Sequence, residues 1–501
     1  MFSRDAVWEE LARPLDLLVI GGGVTGAGVL LEAARRGLRA ALVERGDFAS
    51  GTSSRSSKLV HGGLRYLKAG KLRLTRESVH EREALLREAP GLVEPMPFMM
   101  PAYKHSRPGR MVTQLGLALY DRLAGRSDHG YLDAQHALEE EPAIAQSGLL
   151  GAHTFTDATT DDARLVLRLL SEAERFGARA LNYAEALTVD REHGRASASL
   201  VRDIPGDREQ RVAARMFINA TGVFAGVAGM RPLRGSHLIL GRERLPLRHA
   251  VAFAHPADRR PVFAYPWSGV TLVGTTDLDH RADLRAEPSI SADEVRYLLA
   301  ALDAQFPAAR ITRDDIVSTF AGVRPVIGSG ASPSSESRDS LLTEDRGVVT
   351  ITGGKLTTFR PMALRALKFA CKRAGTRIDL RPLRIFDDAA PTEFPHLNGR
   401  YGAHARTVTD LARSGELQPI AGTQTTWAEL RYALRCESVL HLDDLLLRRT
   451  RLGLQLRGGA HELFPRLQAL CAEELGWNDA AWEREAGLYC ERIRTHYGVP
   501  A

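Results

Sequence analysis

Three glycines near the N-terminus have the spacing of a turn that binds phosphate. Gly21, Gly23 and Gly26 form G-x-G-x-x-G, directly after the apolar run 17–20 and before a stretch rich in helix formers. Glycine here lets the chain turn off a strand, lets a pyrophosphate approach the backbone and lets the helix pack on the sheet. The N–H groups at the helix N-terminus then face the anion. The pattern predicts a dinucleotide site without distinguishing FAD from NAD.

An acidic residue completes this pattern. Residues 40–43 are apolar and predict a second strand, and Glu44 follows it, 18 residues after Gly26. That is close to the spacing at which an acid meets the ribose of a bound dinucleotide. A carboxylate can accept hydrogen bonds from both ribose hydroxyls and disfavours a 2′-phosphate. The alternative, a strand–loop–helix that binds nothing, does not account for the acid.

The next segment, residues 47–63, is dense in serine, threonine and glycine. One reading is a flexible linker. The segment also contains Lys58, an apolar pair and His61, and it runs directly into the apolar residues 64–67, which a linker would not need. Hydroxyls and glycine N–H groups in this density favour a second pass over phosphates and a flavin ring.

Two later strands end in turns of the same kind. Residues 216–220 are an apolar strand that closes on Ala220, Thr221 and Gly222. Residues 348–352 are another, followed by the run GGKLTT at 353–358 and a predicted helix. A glycine turn that opens a helix provides a second N-terminus facing an anion.

The elements around these turns divide the chain into three kinds of sequence. Residues 231–317 are rich in predicted strands and contain a helix whose capping box joins Ser291 and Glu294. Residues 93–120 are rich in Met and Pro, which indicates a buried connection, with an apolar membrane-facing patch and a basic rim as the alternative. Residues 385–501 show long, amphipathic, Arg-rich helical patterns, typical of a separate helical domain.

Composition excludes several classes of protein. The chain has 501 residues, of which 44% are hydrophobic and 26% charged, and a net charge of +6, as expected for a globular protein of several domains. Its arginines are dispersed and not interleaved with aromatic residues, so we expect no nucleic-acid partner. No apolar run of about 18 residues could span a bilayer, and no signal peptide is visible.

The four cysteines, Cys371, Cys436, Cys471 and Cys490, form no pair at metal-ligand spacing. We therefore expect reduced thiols in a cytoplasmic protein and no metal site.

Together, the motifs resemble those of the FAD-dependent, respiratory glycerol-3-phosphate dehydrogenases and the related glycerophosphate oxidases, from about residue 15 to the end. The matching runs are TSSRSSKLVHGGLRYL (52–67), DDARLVL (161–167), GSH (235–237), GTTD (274–277), GVRP (322–325), GGKLTT (353–358) and DDLLLRRTRLG (443–453). One departure is Val223, where members of the family commonly have Pro-Trp after the turn at 220–222.

The resemblance implies a fold and a division into domains. The fold is α/β and D-amino-acid-oxidase-like: a Rossmann-type FAD domain built from discontinuous segments, with an antiparallel substrate cap. The expected FAD-dependent oxidoreductase domain is 1–384, followed by a C-terminal helical domain at 385–501. Within the first domain, the nucleotide-binding segments are 15–80, 145–230 and 318–384, and the cap segments are 81–144 and 231–317.

The resemblance also implies an activity. The protein would oxidise sn-glycerol 3-phosphate to dihydroxyacetone phosphate, with FAD taking the hydride and a membrane quinone taking the electrons. It would sit peripherally on the inner face of the cytoplasmic membrane, with a homodimer left open. The alternatives are a glycerophosphate oxidase that uses O2 and a flavoprotein that acts on another small anionic hydroxy or amino substrate.

Residue roles follow by the same resemblance. The expected catalytic residues are His237 as the base, Lys355 and Arg324, and the expected substrate ligands are Arg65, Arg324, Arg338 and His237. A histidine suits the proton transfer and arginines suit a phosphate dianion. His61 would lie against the flavin. The expected FAD contacts are Gly21, Gly22, Gly23, Thr25, Gly26, Glu44, Arg45, Thr52, Ser53, Ser54, Ser57, Lys58, Leu59, His61, Gly62, Ala220, Thr221, Gly222, Gly353, Gly354, Lys355, Leu356 and Thr357.

Overall fold

The computed structural model describes residues 3–68, 70–104, 109–328, 339–388 and 390–500, apart from the side chains of Arg65 and Lys68. The strands in this part of the chain are β1 (Leu15–Ile20), β2 (Ala40–Val43), β3 (Leu59–Val60), β4 (Val93–Tyr103), β5 (Gly130–Asp133), β6 (Leu149–Thr160), β7 (Arg179–Leu181), β8 (Ala184–Glu192), β9 (Arg195–Asp203), β10 (Arg208–Asn219), β11 (Met230–Gly241), β12 (Ala250–Ala254), β13 (Pro261–Trp267), β14 (Val270–Gly274), β15 (Leu278–Asp279), β16 (Ile316–Ile327), β17 (Ser340–Asp345) and β18 (Val348–Gly353). The α-helices are α1 (Arg4–Leu11), α2 (Val24–Ala34), α3 (Leu64–Lys68), α4 (Leu72–Glu88), α5 (Arg110–Ala124), α6 (Ala134–Glu140), α7 (Asp162–Arg175), α8 (Ala292–Gln305), α9 (Phe359–Ala374), α10 (Pro395–Tyr401), α11 (Ala405–Leu411), α12 (Trp427–Cys436), α13 (Leu452–Gln455), α14 (Phe464–Leu475) and α15 (Asp479–Arg492).

The first sheet carries the dinucleotide turn. Its order is β17-β18-β10-β1-β2-β7, and β18, β10, β1, β2 and β7 run parallel. Helices α2, α7 and α9 share one apolar core with these strands, while α1 and the β8–β9 hairpin cover the other side. Burial on both sides explains why β1 and β2 are almost continuously apolar. The predicted Rossmann-type sheet is therefore confirmed.

Close packing of α2 depends on its glycines. A Cβ atom at Gly26 would lie 1.9 Å from the carbonyl oxygen of Gly21, and one at Gly28 would lie 2.8 Å from the ring of Phe359 in α9. The helix can thus approach both the turn and its neighbouring helix only without side chains at these positions.

The second sheet is largely antiparallel and forms the cap. Its order is β15-β11-β14-β13-β12-β4-β6-β3, with β16 beside β11 and β5 beside β6. Helix α8 packs on it and begins at the predicted capping box of Ser291 and Glu294. Strand β6 lies in the expected nucleotide-binding segment 145–230, and most of β16 lies in 318–384, but both strands pair with strands of the cap. Their long pairings with β4 and β11 could not be read from local sequence.

The C-terminal part is helical, as predicted, but its helices are short. The longest α-helix there, α15, has 14 residues and continues directly into a π-helical turn at Ile493–Tyr497. Left-handed backbone at Arg451 and at Gly458, Gly459 and Ala460 breaks the helical path, and residues 444–449 form a π-helical segment. These helices share an apolar core with cap strands. Across the described residues, every helix is too short or too polar to cross a membrane.

Candidate active site

A cavity of about 690 Å³ opens at the carboxyl ends of β1, β2, β10 and β18. This edge of a parallel sheet is where α/β folds bind ligands. The cavity wall includes many of the predicted site residues: Gly21, Gly23, Thr25, Glu44, Arg45, Thr52, Ser53, Ala220, Thr221, Gly222, Arg324, Gly353, Gly354, Lys355 and Leu356. Residues far apart in the chain are thus brought to one place.

The dinucleotide turn has the geometry that its sequence predicts. Gly21 adopts φ = +110°, and a Cβ atom there would lie 2.7 Å from the carbonyl oxygen of Ala220. Gly23 is the N-cap of α2, which therefore begins at Val24 with its N-terminus in the cavity wall. The N–H of Val24 donates to Oγ of Ser53 at 2.9 Å, which ties the turn to the following loop.

Glu44 is held in position by two backbone donors. The N–H of Gly22 donates to Oε2 at 2.7 Å and that of Gly46 to Oε1 at 2.8 Å. Burial raises the pKa of Glu44 above its usual value, and these hydrogen bonds oppose the rise. The neighbouring Arg45 is exposed, and its guanidinium lies 5.1 Å from the ring of Phe224. Gly22 therefore contributes to the site by holding the carboxylate of Glu44, and Gly26 contributes by letting α2 pack closely on the turn.

The Ser-rich segment after Asp47 is an ordered loop rather than a linker. The hydroxyl of Thr52 donates to the carbonyl of Val323 at 2.5 Å. Lys58 is fully buried, and its ammonium donates to the carbonyl of Ser54 and to Asp162, both at 3.0 Å. Burial lowers the pKa of Lys58 to about 8. Lys58 therefore links the loop to Asp162 on the side away from the cavity, and it does not line the cavity.

The end of this loop meets the second glycine turn. The hydroxyl of Thr357 donates to the carbonyl of His61 at 3.3 Å. The N–H of Gly62 donates to Asp157 at 3.1 Å, and a Cβ atom at Gly62 would lie 2.4 Å from the hydroxyl of Tyr120. Six of the predicted FAD contacts lie behind the cavity wall: Ser54, Ser57, Leu59, His61, Gly62 and Thr357.

Lys355 projects from the second glycine turn. Gly353 and Gly354 have φ of +81° and +78°, and both line the cavity. The ammonium of Lys355 donates to Oγ of Ser78 at 2.8 Å and lies 3.5 Å from the ring centroid of Tyr66. A cation that lines the cavity is therefore held over an aromatic ring.

His237 lies in β11 and is buried. Its Nε2 is 2.9 Å from Oγ of Ser57, and its ring stacks on Phe320 with a centroid distance of 4.6 Å. Burial, reinforced by the charges of Lys58 and Arg324, lowers the pKa of His237 well below its usual value. In the described part of the chain, its buried Nδ1 has no hydrogen-bond partner. The imidazole is therefore neutral near physiological pH, and it lies behind the residues that line the cavity.

Arg324 extends from β16 into the cavity wall. Its Nη2 donates to Oδ1 of Asp277 at 3.0 Å, and its side chain is 22% exposed. A Cβ atom at Gly235 would lie 3.0 Å from this Nη2, so the GSH motif leaves room for the guanidinium. The backbone of Arg65 lies in α3 but its side chain is not described, and Arg338 lies outside the described residues.

The sequence reasoning missed one wall of the cavity. C-terminal residues that include His441, Asp443, Arg448 and Arg492 line it, as does Glu287 from the loop after β15. The dense charges of DDLLLRRTRLG, within an otherwise apolar run, were the available signal. Charged side chains that recur in a buried segment indicate ion pairs or a site.

The residues present fit FAD. The cavity has the size of a cofactor site, a glycine turn and a helix N-terminus suit a pyrophosphate, and Glu44 presents a fixed carboxylate for a ribose. Lys355 and the second glycine turn add a cation and a further turn to the lining of the same cavity.

Comparison with known proteins agrees with this geometry. The family model described as FAD dependent oxidoreductase matches residues 16–360, and that of the C-terminal domain of alpha-glycerophosphate oxidase matches 373–482. The aerobic glycerol-3-phosphate dehydrogenase of Bacillus subtilis is 40% identical over 377 residues, which is 72% of this chain and 68% of that protein. The one of Staphylococcus saprophyticus is 32% identical over 500 residues, 89% of each chain.

Solved structures confirm the fold. The glycerol-3-phosphate dehydrogenase of Bacillus halodurans, complexed with FAD, matches with a TM-score of 0.79 and 28% identity, covering 98% of this chain and 97% of that one. L-alpha-glycerophosphate oxidase of Mycoplasma pneumoniae matches with a TM-score of 0.58 at 18% identity, covering 76% and 100%, and supports the fold alone. The cofactor is therefore FAD, and the chain belongs to the family of FAD-dependent glycerol-3-phosphate dehydrogenases.

Proposed function

We propose that the protein oxidises sn-glycerol 3-phosphate to dihydroxyacetone phosphate, with FAD bound in the cavity described above. The observation that carries this proposal is that Arg324 and Lys355 line the same cavity as the dinucleotide turn. A phosphorylated alcohol can then bind to fixed cations beside the cofactor. The names of the relatives support the same substrate.

The chain would hold FAD at three places. The turn at Gly21–Gly23 and the N-terminus of α2 receive the pyrophosphate, Glu44 receives the ribose, and the turn at Gly353–Gly354 faces the flavin end. When bound, FAD supplies the acceptor for the hydride that leaves carbon 2 of the substrate.

Arg324 would bind the substrate phosphate. A guanidinium matches two phosphate oxygens at once, and Asp277 orients it from behind. By resemblance, Arg65 and Arg338 add further charge, as a dianion requires.

By resemblance, His237 would remove the proton from the substrate hydroxyl, for which its imidazole must be neutral, as the lowered pKa makes it. Lys355 would stabilise negative charge that develops beside the cofactor, an interaction that lowers the barrier more than it aids binding.

We propose a membrane quinone as the electron acceptor, with α5 as the docking face. Met111 and Leu115 on α5 are 82% and 74% exposed, and Val112 and Leu119 extend the same apolar surface. Arg110 and Arg122, at the two ends of α5, are also exposed. Apolar side chains flanked by arginines suit insertion into a bilayer that contains anionic lipid. Of the expected buried connection, Val93, Met96, Phe98 and Met99 of β4 are buried, whereas the outer face of α5 is exposed.

Anaerobic reduction tests the substrate. The purified protein should be yellow, and sn-glycerol 3-phosphate should bleach its visible flavin absorbance, while glycerol and sn-glycerol 1-phosphate should not. Equal bleaching by glycerol would contradict the phosphate site. A flavin that none of the three reduces would contradict the reaction.

The acceptor is tested separately under steady-state conditions. We expect faster turnover with a short-chain quinone than with air-saturated buffer, and little hydrogen peroxide. Stoichiometric peroxide without stimulation by the quinone would instead identify an oxidase.

A further inference from the structure

One loop, residues 47–58, contributes several of the residues that line the cavity. We call it the cofactor loop. Ala49, Gly51, Thr52 and Ser53 of this loop lie in the cavity wall. Ser53 also accepts the N–H that opens α2. The position of this loop therefore sets the shape of the site where the pyrophosphate is expected.

The C-terminal helices hold the first residue of the cofactor loop. Arg449 donates to both carboxylate oxygens of Asp47, from Nη1 at 2.6 Å and from Nη2 at 2.8 Å, and Arg448 also donates to Oδ2. The side chains of Asp47 and Arg449 are fully buried. Removing one partner of such a pair by substitution leaves an uncompensated charge in the interior.

A second contact holds the far end of the loop. Arg451 donates from Nη1 to the carbonyl of Ser54 at 3.2 Å, from Nε to Asp161 at 3.0 Å and from Nη2 to Asp162. Asp162 in turn accepts from the backbone N–H and hydroxyl of Ser56 at 2.9 and 2.7 Å. One guanidinium thus reaches the loop directly and through a carboxylate that also binds it.

A third contact comes from the last helical turn of the chain. Arg55, at the end of the loop, donates to the hydroxyl of Tyr497 at 3.2 Å and to Glu287 at 2.6 Å. Tyr497 donates to the same oxygen of Glu287 at 2.7 Å. Glu287 lines the cavity, so this contact joins the cap, the loop and the C-terminus at the site.

We infer that the C-terminal helices clamp the cofactor loop in its FAD-binding conformation, with Arg449, Arg451 and Tyr497 as positioning residues. The inference rests on the proposed placement of FAD in the cavity. The loop is rich in serine and glycine and has few apolar side chains to order it. The contacts at its two ends therefore add to those that Thr52, Ser53 and Lys58 make in keeping it ordered.

The test compares the release of FAD from variants of the full-length holoprotein. Arg451→Lys keeps the charge, but its single ammonium cannot span the four acceptors of the guanidinium, which include the carbonyl of Leu447. Tyr497→Phe removes one oxygen and keeps the ring, so it tests the clamp even if Arg451→Lys fails to fold. Arg431→Lys is the matched control, because Arg431 is equally buried in the same domain but pairs there with Glu416 and Glu474.

FAD release is followed by the rise of flavin fluorescence after dilution, and folding by circular dichroism. We expect Arg451→Lys and Tyr497→Phe to release FAD roughly tenfold faster or more, as for the loss of a hydrogen bond to a charged group. Excess FAD should restore their visible spectrum and activity, and Arg431→Lys should match the wild type. Release unchanged in both clamp variants, or accelerated equally in Arg431→Lys, would overturn the clamp.

Glu44→Gln separates the clamp from the placement of FAD. If Glu44→Gln releases FAD faster and the clamp variants do not, the placement stands and the clamp is wrong. If Glu44→Gln and both clamp variants all retain FAD as the wild type does, the placement and the clamp are both wrong.

Discussion

Oγ of Ser57 and Nε2 of His237 lie 2.9 Å apart, although the two residues are 180 positions apart in the chain. The contact joins the cofactor loop to the cap, since His237 belongs to β11 and stacks on Phe320 of β16. His237, which the resemblance implies as the base, is thus fixed where the cofactor loop meets the cap, behind the residues that line the cavity.

The first prediction concerns the pH dependence of catalysis. Because the pKa of His237 is lowered well below 6.5, the imidazole stays neutral as the pH falls to that value. We expect the acidic limb of the kcat/KM profile for glycerol 3-phosphate to lie below pH 6.5. His237→Gln should lower kcat by roughly 10²- to 10⁴-fold, the range for a lost general base. His255→Gln, a buried histidine stacked on Tyr297 in the same cap, is the control.

The same shift affects stability. The unfolded chain binds a proton at His237 near pH 6.5 and the folded protein does not, so this contribution to the free energy of unfolding falls as the pH drops through 6.5. Urea titrations between pH 5 and 8 should show this decrease, with a smaller one in His237→Gln. In the catalytic measurement, an acidic limb of the kcat/KM profile above pH 7 would contradict the assignment of His237 as the base.

The second prediction concerns the substrate phosphate. Arg324→Ala should raise KM for glycerol 3-phosphate by roughly ten- to a hundredfold, as for a lost hydrogen bond to a charged group, while FAD stays bound. Asp277→Asn should raise KM less, because Asp277 only orients the guanidinium. Arg231→Ala is the control, since Arg231 pairs with Asp279 at the exposed end of the same cap sheet. An unchanged KM in Arg324→Ala would remove Arg324 from the phosphate site.

The third prediction concerns Lys355. Its ammonium is fixed by Ser78 and by the ring of Tyr66, so it can meet developing charge without reorganising. We expect Lys355→Met to lower kcat by roughly 10²- to 10³-fold, as for the loss of one preorganised donor, with little change in KM. Lys368→Met, on the exposed face of α9, should leave both constants unchanged. A rise in KM without loss of kcat would place Lys355 in ground-state binding instead.

The fourth prediction concerns the membrane. Leu115→Glu puts a charge in the centre of the exposed apolar face of α5 and should abolish sedimentation with vesicles that contain anionic lipid. Turnover with a soluble dye acceptor should be unchanged, because α5 lies outside the cavity wall. Leu187→Glu changes another exposed leucine, on β8, and should still sediment. Equal sedimentation of both variants would show that α5 is not the docking face.

The local structure that the sequence predicted correctly depends on neighbouring residues. The turn at Gly21, the acid at Glu44 and the capping box at Ser291 each depend on residues close in the chain. Their spacing alone therefore reveals their geometry.

The features that the sequence did not predict depend on partners far away in the chain, or on which face of a helix packs against the protein. Lys58 is paired with Asp162, 104 positions away, and that pairing, not its motif, decides that Lys58 points away from the cavity. On α5, Leu117 and Tyr120 are buried while Leu115 and Leu119 are exposed. When both faces of a helix are apolar, periodicity cannot tell which one meets the protein.

The order of strands in the first sheet also governs how the protein can be made on the ribosome. β10 lies between β1, from the start of the chain, and β18, which begins at residue 348. A nascent chain that stops short of residue 348 leaves an open edge on β10, and one that stops short of residue 448 leaves Asp47 without its arginines. The native sheet and its loop can therefore assemble only after β18 and the arginines at 448 and 449 have been synthesised, and until then the edge of β10 is exposed to aggregation.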